Sequence, residues 1–228
     1  MAGLAGAAVL VLAASAAASA QQWAGYRGPA GTAVADAAAA PPVTFDATAR
    51  TNVAWKVELP GLAHSSPIVW NDRVYVTTAV APGADTSVKT GDSRAAGIGA
   101  ANDMVPHTWR VMALDRATGR VVWDREAHTG VPRLKRHVKA SHASATPATN
   151  GRVIVALLGS EGLFAFDMNG ALKWKQDLGV MDVGLVSDPT YQWGPASSPV
   201  IFEDLVIVQN DRHKDSFLAA YDLETGKQ

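Results

Sequence analysis

Three short segments carry the residue types best suited to chemistry, and each stands just ahead of a proline. His64, Ser65 and Ser66 precede Pro67, Ser141, His142, Ser144 and Thr146 precede Pro147, and Tyr191, Gln192, Trp193, Ser197 and Ser198 precede Pro199. Hydroxyl, imidazole and amide groups donate and accept hydrogen bonds, and an indole adds a flat stacking surface. Convergent groups of this kind suit recognition of a polar small molecule or of a partner protein's loop. The plainer reading is that the hydroxyls cap strand starts and the histidines satisfy backbone groups. The sequence leaves both open.

Other chemistry is less well represented. Asp182, Asp188 and Asp211 supply loop carboxylates without the dense spacing of a calcium loop. The six histidines show no helical pair and no carboxylate-backed cluster, so no metal site is expected. Gly-x-Ser-x-Gly and phosphate-binding glycine loops are absent, and no catalytic residue is assigned. The chain has no cysteine, which excludes disulfides, thiolate metal sites and a cysteine nucleophile. A net charge of −1 gives no general attraction to nucleic acid. The basic run at 133–139 is read as a solvated loop, with an anion or acidic-partner contact as its functional alternative.

These segments are positioned by a repeat. Ala113-Leu114-Asp115-Arg116-Ala117-Thr118-Gly119-Arg120-Val121-Val122-Trp123 returns one residue shorter as 165–174 and begins again at 220–227. Each copy reads as a strand ending in Asp, a glycine turn and a strand ending in Trp. Upstream of each lies a hairpin, turning at Asn71-Asp72, at Asn150-Gly151 and at Glu203-Asp204. Asn-Gly is the strongest two-residue hairpin signal. Residues 52–59 are expected to form a strand ending the motif of a preceding unit, with Trp55 as its tryptophan.

The expected fold is all-β, a propeller of four-stranded antiparallel blades, incomplete here as an open arc of about three blades. The blades fall near 52–123, 124–174 and 175–228. The prolines at 67, 147 and 199 are 80 and 52 residues apart. An insertion at 82–106, rich in Gly, Ala and Asp, accounts for the longer first interval, and its composition favours disorder over a functional lid. Residues 21–51 form an irregular strap that Trp23 and Tyr26 fasten to the body. Residues 1–20 read as a signal peptide ending at Ala18-Ser19-Ala20, implying a periplasmic or secreted protein with no stable membrane span after cleavage. An uncleaved anchor is the alternative.

The motif Ala113-x-Asp115-x-x-Thr118-Gly119-Arg120-x-x-Trp123 resembles the tryptophan-docking repeat of the PQQ-like β-propeller proteins. The opening Trp23 to Pro29 element is similar to that of their exported bacterial members. The resemblance implies that Trp55, Trp123 and Trp174 dock structurally against neighbouring blades. Its relatives include pyrroloquinoline-quinone alcohol dehydrogenases and the scaffold lipoprotein of the outer-membrane β-barrel assembly machine. The repeat motif is specific for fold and nearly silent on activity, and the preferred reading is a non-catalytic binding or assembly scaffold with a protein or polar small-molecule ligand. The alternatives are a PQQ-dependent oxidoreductase holding quinone and calcium, with its catalytic residues in further blades, or a carbohydrate-binding module. The adjacent-cysteine pair common in the alcohol dehydrogenases is missing, which weighs against the enzyme.

Overall fold

The computed structural model describes residues 22–36, 39–85, 87, 100–184 and 191–228. The expected signal segment 1–20, residues 88–99 of the insertion, and Asp188 lie outside the described residues. Eleven strands form three separate antiparallel sheets in which sequence neighbours are spatial neighbours. The first contains β1 (Ile68–Trp70), β2 (Arg73–Val80), β3 (His107–Asp115) and β4 (Val121–Gly130). In the second are β5 (Ala148–Thr149), β6 (Val153–Leu157), β7 (Leu163–Asp167) and β8 (Leu172–Gln176). The third has β9 (Val200–Phe202), β10 (Leu205–Asn210) and β11 (Phe217–Asp222), in the order β11-β10-β9. The helical pieces among the described residues are short 3₁₀ turns, including Pro29–Gly31 and Gly159–Glu161. This is the all-β architecture of an incomplete propeller.

Alternation along the strands builds the core. All five residues of β6 are buried. Val153, Val155 and Leu157 face the third sheet, packing with Val206, Val208, Ala219 and Tyr221. Ile154 and Ala156 face the first sheet and meet Ile68, Tyr75, Trp109 and Val111. A strand covered on both sides is apolar throughout, whereas one covered on a single side alternates. In β10 only every second residue, Val206, Val208 and Asn210, is buried, because nothing described covers the other face.

The tryptophans link one sheet to the next. Trp55 donates its indole N–H to the Arg116 carbonyl at 2.8 Å, Trp123 to Met168 at 3.1 Å and Trp174 to Leu223 at 2.9 Å. Each ring covers the turn glycine of the following repeat, and a Cβ added to Gly119, Gly170 or Gly226 would lie within 2.9 Å of it. The aspartate that opens each turn holds the turn's shape. Asp115 Oδ1 accepts from the Thr118 N–H and hydroxyl, and Asp222 Oδ1 from those of Thr225. The shorter second copy lacks the threonine, and Asp167 accepts instead from the N–H groups of Asn169 and Ala171.

Three expectations change. Residues 52–59 do not form a strand, since no described neighbour offers them a ladder. Trp55 and Leu59 hold the segment by packing on Val74, Val76, Met112 and Leu114. Asn150-Gly151 is not a two-residue turn, because Thr149 pairs with Ile154 across a four-residue connection. Asn150 instead accepts from the N–H groups of Arg152 and Val153 through its side chain, while the Gly151 position is covered by Trp70. In the strap, Trp23 exchanges two backbone hydrogen bonds with Val69 of β1, and the Ala24 carbonyl accepts from Thr149 of β5. The strap thus lies along two inner strand edges. Tyr26 is 53% exposed and fastens little.

Candidate functional site

An up-and-down sheet sends alternate connections to opposite ends. The β1–β2 and β3–β4 turns, with their counterparts, take one end and carry the tryptophan docking. The described parts of the β2–β3 connection, 81–85 and 100–106, the inter-sheet loop 131–147, residues 177–184 and 191–199, and residues 60–67 take the other. Every candidate site residue lies at this second end.

The hydroxyls there join one inner strand start to the next. The Ser66 N–H donates to Thr146 Oγ1 at 3.0 Å, and the Thr146 N–H donates to Ser198 Oγ at 2.9 Å. Ser65 Oγ lies 2.9 Å from Thr77 Oγ1. Ser144 donates its hydroxyl to the Ser141 carbonyl, and Ser141 Oγ accepts from the N–H groups of His64 and Ala143. Ser65, Ser66, Ser144 and Ser198 are therefore engaged in holding the strand starts. His64 is exposed, and partial desolvation of its ring, with the nearby Arg136 charge, lowers its pKa. Gln192 is buried and donates to Asp182 Oδ1 at 2.8 Å. Trp193 is 42% exposed, with its ring tilted over that of buried His137 at 5.1 Å. Ser197 lines the cleft beside it, together with Pro195, Gln209 and Asp211.

The structure also assembles a cluster whose members are scattered along the chain. Asp103 comes from the segment before β3, His107 from its first residue and His142 from the loop before β5. Their donor atoms all lie within 4.8 Å of one another. Asp103 Oδ1 is 3.4 Å from His142 Nε2, and Asp103 Oδ2 is 3.9 Å from His107 Nε2. This corrects the expectation that no histidine pair has a carboxylate behind it. The spacing did not reveal it because tertiary packing, rather than a helix, brings the groups together.

The surroundings fix the cluster's geometry. Arg136 donates from Nε to Asp103 Oδ2 at 2.7 Å and from its terminal nitrogen to the Ala140 carbonyl. The Ala101 N–H donates to the Arg136 carbonyl, binding the end of the insertion to the inter-sheet loop. Trp109 donates its indole N–H to the His142 carbonyl at 2.9 Å. His107 Nδ1 sits 2.8 Å from the Val105 carbonyl, which can only accept, so Nδ1 carries the proton. Burial acts to raise the Asp103 carboxyl, but the neighbouring His142 and Arg136 outweigh it and hold it at about 2. Burial also pushes His107 down.

The basic run at 133–139 is another correction. Arg136 and His137 are buried in this structure, and Arg133 forms a two-bond pair with Asp177 at 2.7 and 3.0 Å. The Arg133 N–H and His128 both contact the buried carboxylate of Glu161. These cations are anchors of the loop rather than a solvated patch. The apolar Leu134 and Val138 within the run were its one visible signal.

A family model described as "Outer membrane protein assembly factor BamB" matches residues 107–228. No curated protein matches the chain. Among solved structures, BamB from Moraxella catarrhalis is 20% identical over 78% of this chain and 43% of its own, with a TM-score of 0.43. Europium-containing methanol dehydrogenase is 17% identical over 75% of this chain and 24% of its own, at 0.41. The quinohemoprotein alcohol dehydrogenase ADHIIG from Pseudomonas putida HK5 is 20% identical over 76% and 21%, at 0.43. The chain spans less than half the length of each. Because the matched segment takes in more than half of its residues, the chain belongs to the BamB-type family of PQQ-like β-propeller repeat proteins.

Proposed function

We propose that the chain is part of an exported, non-catalytic propeller scaffold that binds a protein partner at the end carrying the inter-sheet loops. One observation carries the reading, the held but exposed Trp193. Its ring is supported by His137, the His137 N–H points at its carbonyl at 3.5 Å, and Pro195 fixes a backbone dihedral two residues on. A large aromatic surface fixed before binding loses little entropy when a partner covers it, which is why such residues dominate protein interfaces. The hydroxyls of the neighbouring strand starts support the reading too, since they are committed to internal hydrogen bonds. Among the described residues no helix is long and apolar enough to cross a membrane.

The quinone reading implies a calcium ion, for which six to eight oxygen ligands are usual. The assembled cluster offers one carboxylate and two imidazoles, and that set does not fit calcium. The test places a photo-crosslinking amino acid at position 193 of the full-length protein in cells. A discrete protein adduct in the envelope fraction is expected, and competition by excess purified protein carrying Trp193→Ala should be weaker than by wild type. Binding of oligosaccharides without any protein adduct, or PQQ-dependent turnover of alcohols by the purified protein, would overturn the scaffold reading.

A further inference from the structure

We infer that Asp103, His107 and His142 form a binding site for a first-row transition metal ion of the Zn²⁺ class. The donor set is the first ground. One carboxylate and two imidazoles suit Zn²⁺, Co²⁺ or Ni²⁺, which accept nitrogen and oxygen together. The second ground is unmet bonding. Among the described residues, Asp103 Oδ1 and His142 Nε2 are buried and make no hydrogen bond of normal geometry. The His142 side chain is 9% exposed and that of Asp103 11%. Buried polar atoms without partners are costly, and a shared cation would satisfy both.

The third ground is orientation. With its proton fixed on Nδ1 by the Val105 carbonyl, His107 turns an Nε2 lone pair toward the Asp103 carboxylate at 3.9 Å. A lone pair facing an anion is repulsive unless a cation lies between them. A proton on His142 could serve Asp103 Oδ1, but it would leave the His107 lone pair unanswered. Metal-bound imidazoles commonly give their second N–H to a carbonyl, and ligating carboxylates are commonly hydrogen-bonded on their other oxygen. Here Val105 and Arg136 occupy those two supporting positions.

The size is suitable. Bonds of about 2.0–2.1 Å in a tetrahedron put ligand atoms about 3.3 Å apart. The present atoms, within 4.8 Å of one another, reach that spacing by small side-chain rotations. Leu62, Ala79, Ala81 and Ala84 line a cavity that opens on the same groups. Three protein donors would thus leave a fourth position for water or a small anion. The ion would also tie the end of the insertion to the first sheet and to the loop entering the second.

The experiment uses the purified, chelator-treated chain with Co²⁺ as the spectroscopic probe. One equivalent should bind with the visible ligand-field bands of a low-coordinate site, and Zn²⁺ but not Ca²⁺ should displace it. His142→Gln and Asp103→Asn should each weaken binding about a hundredfold or more, and Arg136→Lys about tenfold. His213→Gln, remote from the cluster, should leave the titration unchanged. Far-ultraviolet circular dichroism of each variant separates lost ligands from lost fold. Failure of the wild type to take up a stoichiometric ion overturns the site, as does uptake that survives His142→Gln and Asp103→Asn in folded protein.

Discussion

At a single residue, the docking of Trp123 constrains the sequence directly. Gly170 has a φ of 84°, and an added Cβ would meet the indole at 2.9 Å. Gly170→Ala therefore combines a left-handed backbone, which costs an ordinary residue about 1–2 kcal/mol, with displacement of the ring. The expected loss is about 2 kcal/mol or more in urea unfolding, with a shift in tryptophan emission. Thr146 tests the hydroxyl links. Thr146→Val keeps the volume but leaves the Ser66 N–H without its acceptor, for a loss of about 1–2 kcal/mol, while Thr146→Ser should cost less. Hydrogen exchange at the Ser66 amide should quicken in the valine variant alone. The sequence made Ser66, Thr146 and Ser198 legible as equivalent positions, because a proline follows each. It could not show that the Thr146 and Ser198 hydroxyls each answer a backbone N–H of the preceding repeat, since that depends on how sheets stack.

Among the elements, the loop from β4 to β5 is ordered by charge. Arg133 holds Asp177 through two hydrogen bonds, and the Gly179 N–H adds a third to the same carboxylate. These interactions bring the Asp177 carboxyl down to about 2. An aspartate of depressed pKa stabilises the fold fully above its unfolded value of about 3.9, and that contribution disappears as pH falls through the folded value. Both side chains are well exposed, so solvent screening limits the pair to about 1 kcal/mol or less. The stability difference between wild type and Asp177→Asn, followed by urea unfolding, should be constant from pH 7 to about pH 5 and then shrink progressively, leaving a small remainder at pH 2, where the folded carboxyl is half protonated. A difference undiminished at pH 2 would mean that the pair is not its source. The run at 133–139 misled the sequence reading because charge density alone does not report partners. Asp103, Glu161 and Asp177 are distant in sequence, and only packing of the insertion and the next sheet brings them to these cations. Asn150-Gly151 misled it for a similar reason. Trp70 of the preceding sheet covers the glycine, so the tertiary contact rather than the dipeptide sets the turn.

Over the whole molecule, the repeat was legible because each copy encodes its own aspartate and glycine turn, followed in two of them by a tryptophan, and similar local chemistry gives similar local structure. The metal-suited cluster was not, because its three ligands come from the end of the insertion, the first residue of β3 and the inter-sheet loop before β5. The last consequence of the arrangement concerns the third sheet. Cross-strand pairing puts Phe202 beside Leu205, and Val200 beside Ile207 with Ala220 on its other side, while Leu218 pairs with Gln209. All lie on the face opposite the core, and Val200, Phe202, Leu205 and Leu218 are 57%, 59%, 41% and 71% exposed. A contiguous apolar sheet face next to an uncovered edge strand favours association. The chain 21–228 in isolation should therefore self-associate with rising concentration and bind a fluorescent hydrophobic dye. Phe202→Lys combined with Leu218→Lys should give a monomer with little dye binding, because a charge on each of two strands makes close contact costly. Both positions are exposed, so each substitution should change the urea stability of the monomer by no more than about 0.5 kcal/mol. Sedimentation velocity across a concentration series distinguishes the cases. A wild-type chain that stays monomeric at its highest soluble concentration, without binding dye, would show that this face is covered in solution by something within the chain itself.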